Sequence, residues 1–198
     1  MTTRTTKSES KPTARRERMD DAPLPNQVTK GTKIRLVKRD MEPRALGLHI
    51  LSRFFMGEAD LEMAKRRVLH RENRKIGDVE AVLALLTDLI RNADDPQMKA
   101  QVMEGIAEFQ SSIGQDPRPV LAEMHRMELQ IFKDIGFERV SIDCKKNACP
   151  ACRKQANLVL GIEKAIEDMP LPHPACTNLP HSKARPFCRC RFYGEYRG

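Results

Sequence analysis

Apolar residues recur at steps of three and four between Val79 and Ile135, and then the period changes. Val79, Val82, Leu83, Leu86, Leu89 and Ile90 form one stripe. Met98, Val102, Ile106, Phe109 and Ile113 form a second, and Val120, Met124, Met127, Ile131 and Ile135 a third. Each is the signature of an amphipathic helix with one buried face. Two further helices are predicted upstream, over 43–55 and, more polar, over 59–75. The punctuation agrees. Asp78 follows Gly77 as the N-cap of the third helix. Asp95-Pro96 and Asp116-Pro117 each place a capping acid before a proline at the first helical position, where its missing N–H is not needed. Gly114 and Gly136 stand where a left-handed residue ends a helix. Short connections make consecutive helices antiparallel neighbours. The expectation is a mainly α fold, an antiparallel helical bundle or a short helical-hairpin array, over residues 41–136. No consensus residues of the common helical repeats are present.

From residue 137 the period is two. "FERVSIDC" (137–144) alternates and holds β-branched residues, which predicts a strand. "GIEKAIEDM" (161–169) reads as one short helix, and the closing "CRCRFYGEY" as another strand. Residues 137–198 are therefore a small α+β module of about 60 residues, a size at which an apolar core alone rarely suffices and a metal is a usual remedy.

The cysteines supply the means. Cys149-Pro-Ala-Cys152 is a C-x2-C knuckle, whose two thiolates can curl around one ion. Candidates for the remaining ligands are Cys176, Cys188, Cys190, His173 and His181. Cys188 and Cys190 would face the same side of a strand, which suits two ligands on one metal or one ligand with the other packed beneath it. Cys144 reads as a packed thiol. The N-terminus has no apolar stretch of the kind that directs export. A reducing, cytoplasmic setting is expected, in which metal binding or free thiols outrank disulfides. No apolar run is long enough to span a membrane.

The run "CPACRKQANLVLGIEKAIEDMPLPHPACTN…RPFCRCRFYGEY" resembles the C-terminal cysteine module of phage head-morphogenesis (minor head) proteins and related modules of uncharacterised bacterial proteins. The shared pattern is C-P-x-C, a short helical stretch ending in "MPLP", a further cysteine, and C-R-C before an aromatic strand. The likeness covers roughly 137–198. Where the family's pattern has a histidine, this chain has Arg185, while Pro186, Cys188, Arg189 and Cys190 match. The resemblance thus implies that Cys176 supplies the ligand the histidine would give. The expected cofactor is one Zn²⁺, held by Cys149, Cys152, Cys176 and one or both of Cys188 and Cys190. A phage or prophage setting, and with it a virion-associated location, is also what the resemblance implies.

A catalytic zinc keeps an open position for water, whereas four thiolates close the shell. Zinc deaminases carry H-x-E and then P-C-x-x-C. Here His70-Arg71-Glu72 is far from the knuckle, Ala148 replaces the proline, and His70 lies in a charged helical stretch. His49 and His125 read as surface or core residues of helices. No catalytic residue, cofactor-binding loop or small-molecule substrate site is assigned.

Charge adds a partner class. The chain is +8 overall, but +7 over 1–39, −4 over 40–139 and +5 over 140–198. Residues 1–40 form a basic arm, and residues 1–30 hold too few large apolar groups to offset ordering entropy, so disorder is expected there. "TKIRLVKR" (32–39) alternates and could add a short strand. Arg185, Arg189 and Arg191 are the expected partner-binding residues of the module. The reading is a non-enzymatic zinc-stabilised protein that docks on a protein assembly partner or on nucleic acid. The alternative is a zinc-dependent enzyme acting on nucleic acid.

Overall fold

Proline opens the first helix and glycine closes the longest ones, in a computed structural model that describes residues 42–179 and 184–196. The expectations for the basic arm, for a strand at 32–39 and for His181 lie outside the described residues. The described chain runs α1 (Pro43–Ser52), α2 (Glu58–Glu72), α3 (Asp78–Asn92), α4 (Pro96–Ser112), α5 (Arg118–Asp134), β1 (Arg139–Asp143), α6 (Pro150–Arg153), β2 (Val159–Gly161), α7 (Ile162–Asp168) and β3 (Arg191–Glu195). It is mainly helical, with a small antiparallel sheet and a cysteine cluster towards the C-terminus.

Most helix ends follow their sequence signals, but α5 starts one residue later than expected: Pro117 is its N-cap, and Asp116 Oδ1 accepts from the Arg118 N–H at 3.1 Å. Asp95 caps α4, accepting hydrogen bonds from the backbone N–H groups of Gln97 and Met98. Gly114 (φ 83°) and Gly136 (φ 92°) adopt the left-handed conformation just after α4 and α5. At α3 the cap is Gly77, and Asp78 is the first helical residue. Its carboxylate instead meets Arg44 at 2.9 Å and Lys65 at 2.5 Å, which ties α1, α2 and α3 together.

Two apolar cores share one helix. The first joins α1 to α4 through Ile50, Leu51, Leu61, Val82, Leu86, Val102 and Phe109, all fully buried. Glycine permits the close crossing at its centre. A Cβ built on Gly47 would lie 2.5 Å from Val82 Cγ2. Valine is stiff at χ1 in a helix and cannot swing away. Gly47→Ala should therefore destabilise the fold by about 1–3 kcal/mol through overpacking. Chemical denaturation checks this, with a lowered midpoint as the expected result.

The second core lies between the inner faces of α4 and α5 and the sheet. Ala107, Leu121, Met124 and Leu129 pack there with Val140, Ile142, Ile162, Leu171 and Phe192, and with five of the cysteines. The sheet order is β2-β1-β3, antiparallel throughout. Val140 and Ile142 alternate inward along β1, as the period of two requires. The apolar packing thus crosses residue 136, where the sequence suggested a division: α5 belongs to the same core as the strands.

The buried face of α5 differs from the expected one. Leu121, Met124, His125 and Leu129 point inward, while Ile135 is 64% exposed. His125 is fully buried, with Nδ1 2.8 Å from Glu128 Oε2 and its ring edge-on to Phe192. β2 and the single turn of α6 had no counterpart among the sequence expectations.

Candidate metal centre

The knuckle is built by the short turn of α6. Cys149 is its N-cap and Cys152 lies three residues on, so one turn brings both side chains to the same side. The other cysteines arrive by two clamps. The backbone N–H of Phe187 donates to Asn178 O at 2.8 Å, and Asn178 Nδ2 donates back to Phe187 O at 3.0 Å. These bonds hold the chain after Cys176 against the chain before Cys188. The second clamp fixes that strand of chain to α4. Arg185 N donates to Ser111 O at 2.9 Å, Ser111 Oγ donates to Arg185 O at 2.7 Å, and Arg185 Nε donates to Gly114 O at 3.1 Å.

The sulfurs converge as a result. Those of Cys149, Cys152 and Cys176 lie within 4.8 Å of one another, and those of Cys152, Cys188 and Cys190 form a second such triad. Cys149 Sγ is 4.0 Å from Cys176 Sγ, and Cys152 Sγ is 3.8 Å from Cys188 Sγ. All five residues are buried. Such a group could hold a metal ion. Cys149, Cys152, Cys176 and Cys188 are free thiols, whereas Cys190 is joined to Cys144 in a disulfide.

That bond corrects one expectation, since Cys144 is not simply a packed thiol, and of the Cys188/Cys190 pair it leaves Cys188 as the free thiol. The reason is the register. Asp143 pairs with Arg191 across β1 and β3, so Cys144 and Cys190 are the next pair outward, with Cα atoms 4.4 Å apart. That is the spacing of a directly opposed antiparallel pair without ladder hydrogen bonds.

The electrostatics of the four free thiols are polarised. Cys188 is lowered to about 5, chiefly by the hydrogen bond from Cys176, with backbone N–H groups of Cys190 and His173 also contributing against its burial. Cys149 is lowered to about 6: burial opposes ionisation, but the N–H groups of Thr177 and Cys152 outweigh it. Cys152 is raised to about 12 by burial and by the charge on Cys188. Cys176 is raised by its hydrogen bond to Cys188 and by burial. Cys149 and Cys188 are thus biased toward the thiolate, and Cys152 and Cys176 toward the thiol. A divalent cation would neutralise the first pair and displace the protons of the second.

Of the other candidates, His173 is turned to its own loop, accepting from the Ala175 N–H at 3.0 Å, and is not part of either sulfur triad. His70 is exposed on α2. The three arginines do not share one surface. Arg185 is exposed, and Arg189 sits with its guanidinium 5.8 Å from the centre of the Phe187 ring. Arg191, expected to bind a partner, is committed inside the fold: it pairs with Glu104 at 2.5 Å and Glu128 at 3.0 Å and contacts Met124. Ser111, Asn178 and the Thr177 N–H shape the centre without any signal in the cysteine spacing. Ser111 lies opposite the apolar stripe of α4, so the sequence pattern did not single it out.

A cleft of 410 Å³ reaches the centre on one side, lined by Asp116, Arg118, His173 and Arg185 together with Cys176 and Cys188. Among the described residues, no helix is long and apolar enough to cross a membrane. Comparison of the chain with family models, with curated proteins and with solved structures gives no match.

Proposed function

We propose that Cys149, Cys152, Cys176 and Cys188 hold one Zn²⁺ that acts as a structural staple. On this reading the chain is a non-enzymatic binding or structural protein. Two sulfur pairs carry it, joined through Cys152, which belongs to both triads. Tetrahedral zinc with Zn–S near 2.3 Å places its sulfurs about 3.8 Å apart. Cys152 and Cys188 stand at 3.8 Å and Cys149 and Cys176 at 4.0 Å before any ion is added. Four buried thiolates close the shell and leave no ligand position for a reacting water. Metal analysis of protein purified without chelator tests this: one zinc per chain is expected, and a metal-free, fully folded protein refutes it.

Arg185 is exposed and Arg189 is half-buried over Phe187, and these two cations fit docking on nucleic acid or on an acidic face of a protein assembly partner. A phage or prophage assembly is the setting that the head-morphogenesis resemblance suggests. If nucleic acid is the partner, affinity should fall steeply with salt as phosphate counterions are released. Replacing Arg185 and Arg189 by Ala should then weaken binding and flatten the salt dependence by about one unit of log–log slope per lost phosphate contact. Replacing Arg191 should alter stability instead, because its charge is paired internally.

One observation favours the enzymatic alternative, a zinc-dependent enzyme acting on nucleic acid. The cleft that reaches Cys176 and Cys188 is lined by Arg118 and Arg185, groups that could receive a phosphate. Retained fold with lost activity after zinc removal would support that alternative. Loss of the fold supports the staple.

A further inference from the structure

We propose that the six cysteines form a redox-gated binuclear metal site, in which reduction of the Cys144–Cys190 disulfide opens a second ion position beside the first. The inference rests on the zinc reading above and extends it. Its foundation is the overlap of the two sulfur triads. Cys149, Cys152 and Cys176 form one, and Cys152, Cys188 and Cys190 form the other. Cys152 is common to both. Cys188 lies 3.8 Å from Cys152, hydrogen-bonds with Cys176 and is also a member of the second triad. Cys152 and Cys188 therefore stand between the two groups, where bridging ligands would have to be. Cys149 and Cys176 lie on one side as terminal ligands of the first ion. Cys190 lies on the other, with Cys144 attached to it and Cys144 Sγ 3.3 Å from the carbonyl oxygen of Cys152.

In the disulfide form, Cys190 cannot act as a thiolate, and the second position lacks both of its terminal ligands. An external dithiol removes that block. It delivers two electrons and two protons, the Sγ–Sγ bond breaks, Cys144 and Cys190 become thiols, and the dithiol closes to its own disulfide. A second divalent ion then displaces those two thiol protons and is held by Cys144, Cys190 and the bridging Cys152 and Cys188. The charge balance permits this. The charge of the added ion cancels the two added thiolates, so the charge enclosed by the module does not change. The backbone also permits it, because Cys144 and Cys190 extend the β1–β3 register and stand opposite each other there.

Native mass spectrometry of the full chain, loaded with Cd²⁺ or Zn²⁺ before and after treatment with a phosphine reductant, tests the proposal. One ion per chain is expected with the disulfide intact and two after reduction. Cys144→Ser, which removes one terminal ligand, should bind a single ion even when reduced. A single ion in the reduced wild-type chain, or two ions in the Cys144→Ser chain, overturns the binuclear site while leaving the one-zinc reading in place. No ion in either redox state overturns both.

Discussion

On the zinc-staple proposal, the Cys149→Ser variant should bind no zinc and lose the ordered packing between α5 and the sheet. An apparent binding free energy on the order of 10 kcal/mol couples such a site to folding at neutral pH. That is comparable with the whole stability of an ordinary domain, about 5–15 kcal/mol. The collapse should have a definite boundary. Cys149, Cys152, Cys176 and Cys188 sit in the same apolar core as Leu121, Met124, Val140, Ile142 and Phe192. The inner face of α5 should therefore loosen together with β1, β3 and α7. The core of α1 to α4, centred on Ile50, Val82 and Phe109, has no cysteine in it and should persist. Backbone NMR in matched buffers checks this. The expected spectrum keeps dispersed signals from α1 to α4 and loses them from α5, β1, α7 and β3. A uniformly native spectrum would show that the ion does not staple the module.

Phe109→Ala should give the converse pattern. Phe109 is fully buried where α4 meets α1, and its ring lies 3.4 Å from the position of a Cβ on Gly47. Truncating a core Phe costs about 3–5 kcal/mol, from lost transfer free energy and from the cavity left behind. The denaturation midpoint should fall sharply, yet zinc content per folded chain should be unchanged, because none of the four thiols packs in that core. Loss of metal together with stability would mean that α4 transmits the defect from one core to the other.

Much of the helical half was legible because local signals and periodicity agreed. Asp95-Pro96, Gly114 and Gly136 are backbone requirements, and such requirements do not depend on distant partners. The face of α5 was not legible for the opposite reason. Val120, Met124, Met127 and Ile131 make a valid stripe, but so do Leu121, His125 and Leu129 beside Met124, and only the sheet packed against the helix selects between them. The knuckle followed from ligand spacing, whereas Cys176 was singled out by the resemblance and Cys188 was one of two candidates with Cys190. The Cys144–Cys190 bond could not be read from spacing, since it depends on a strand register joining residues 46 apart. Arg191 looked like one of three exposed cations. Its partners, Glu104 and Glu128, lie on α4 and α5 and become visible only when β3 is laid against them. Charge in sequence is silent on which side of a strand another element will cover.

X-ray absorption at the zinc edge of the protein as purified reads the ligand shell itself. One zinc per chain is expected, with four sulfur neighbours at about 2.3 Å and no nitrogen or oxygen in the shell. A shell containing nitrogen or oxygen in place of a sulfur would contradict the closed four-thiolate staple.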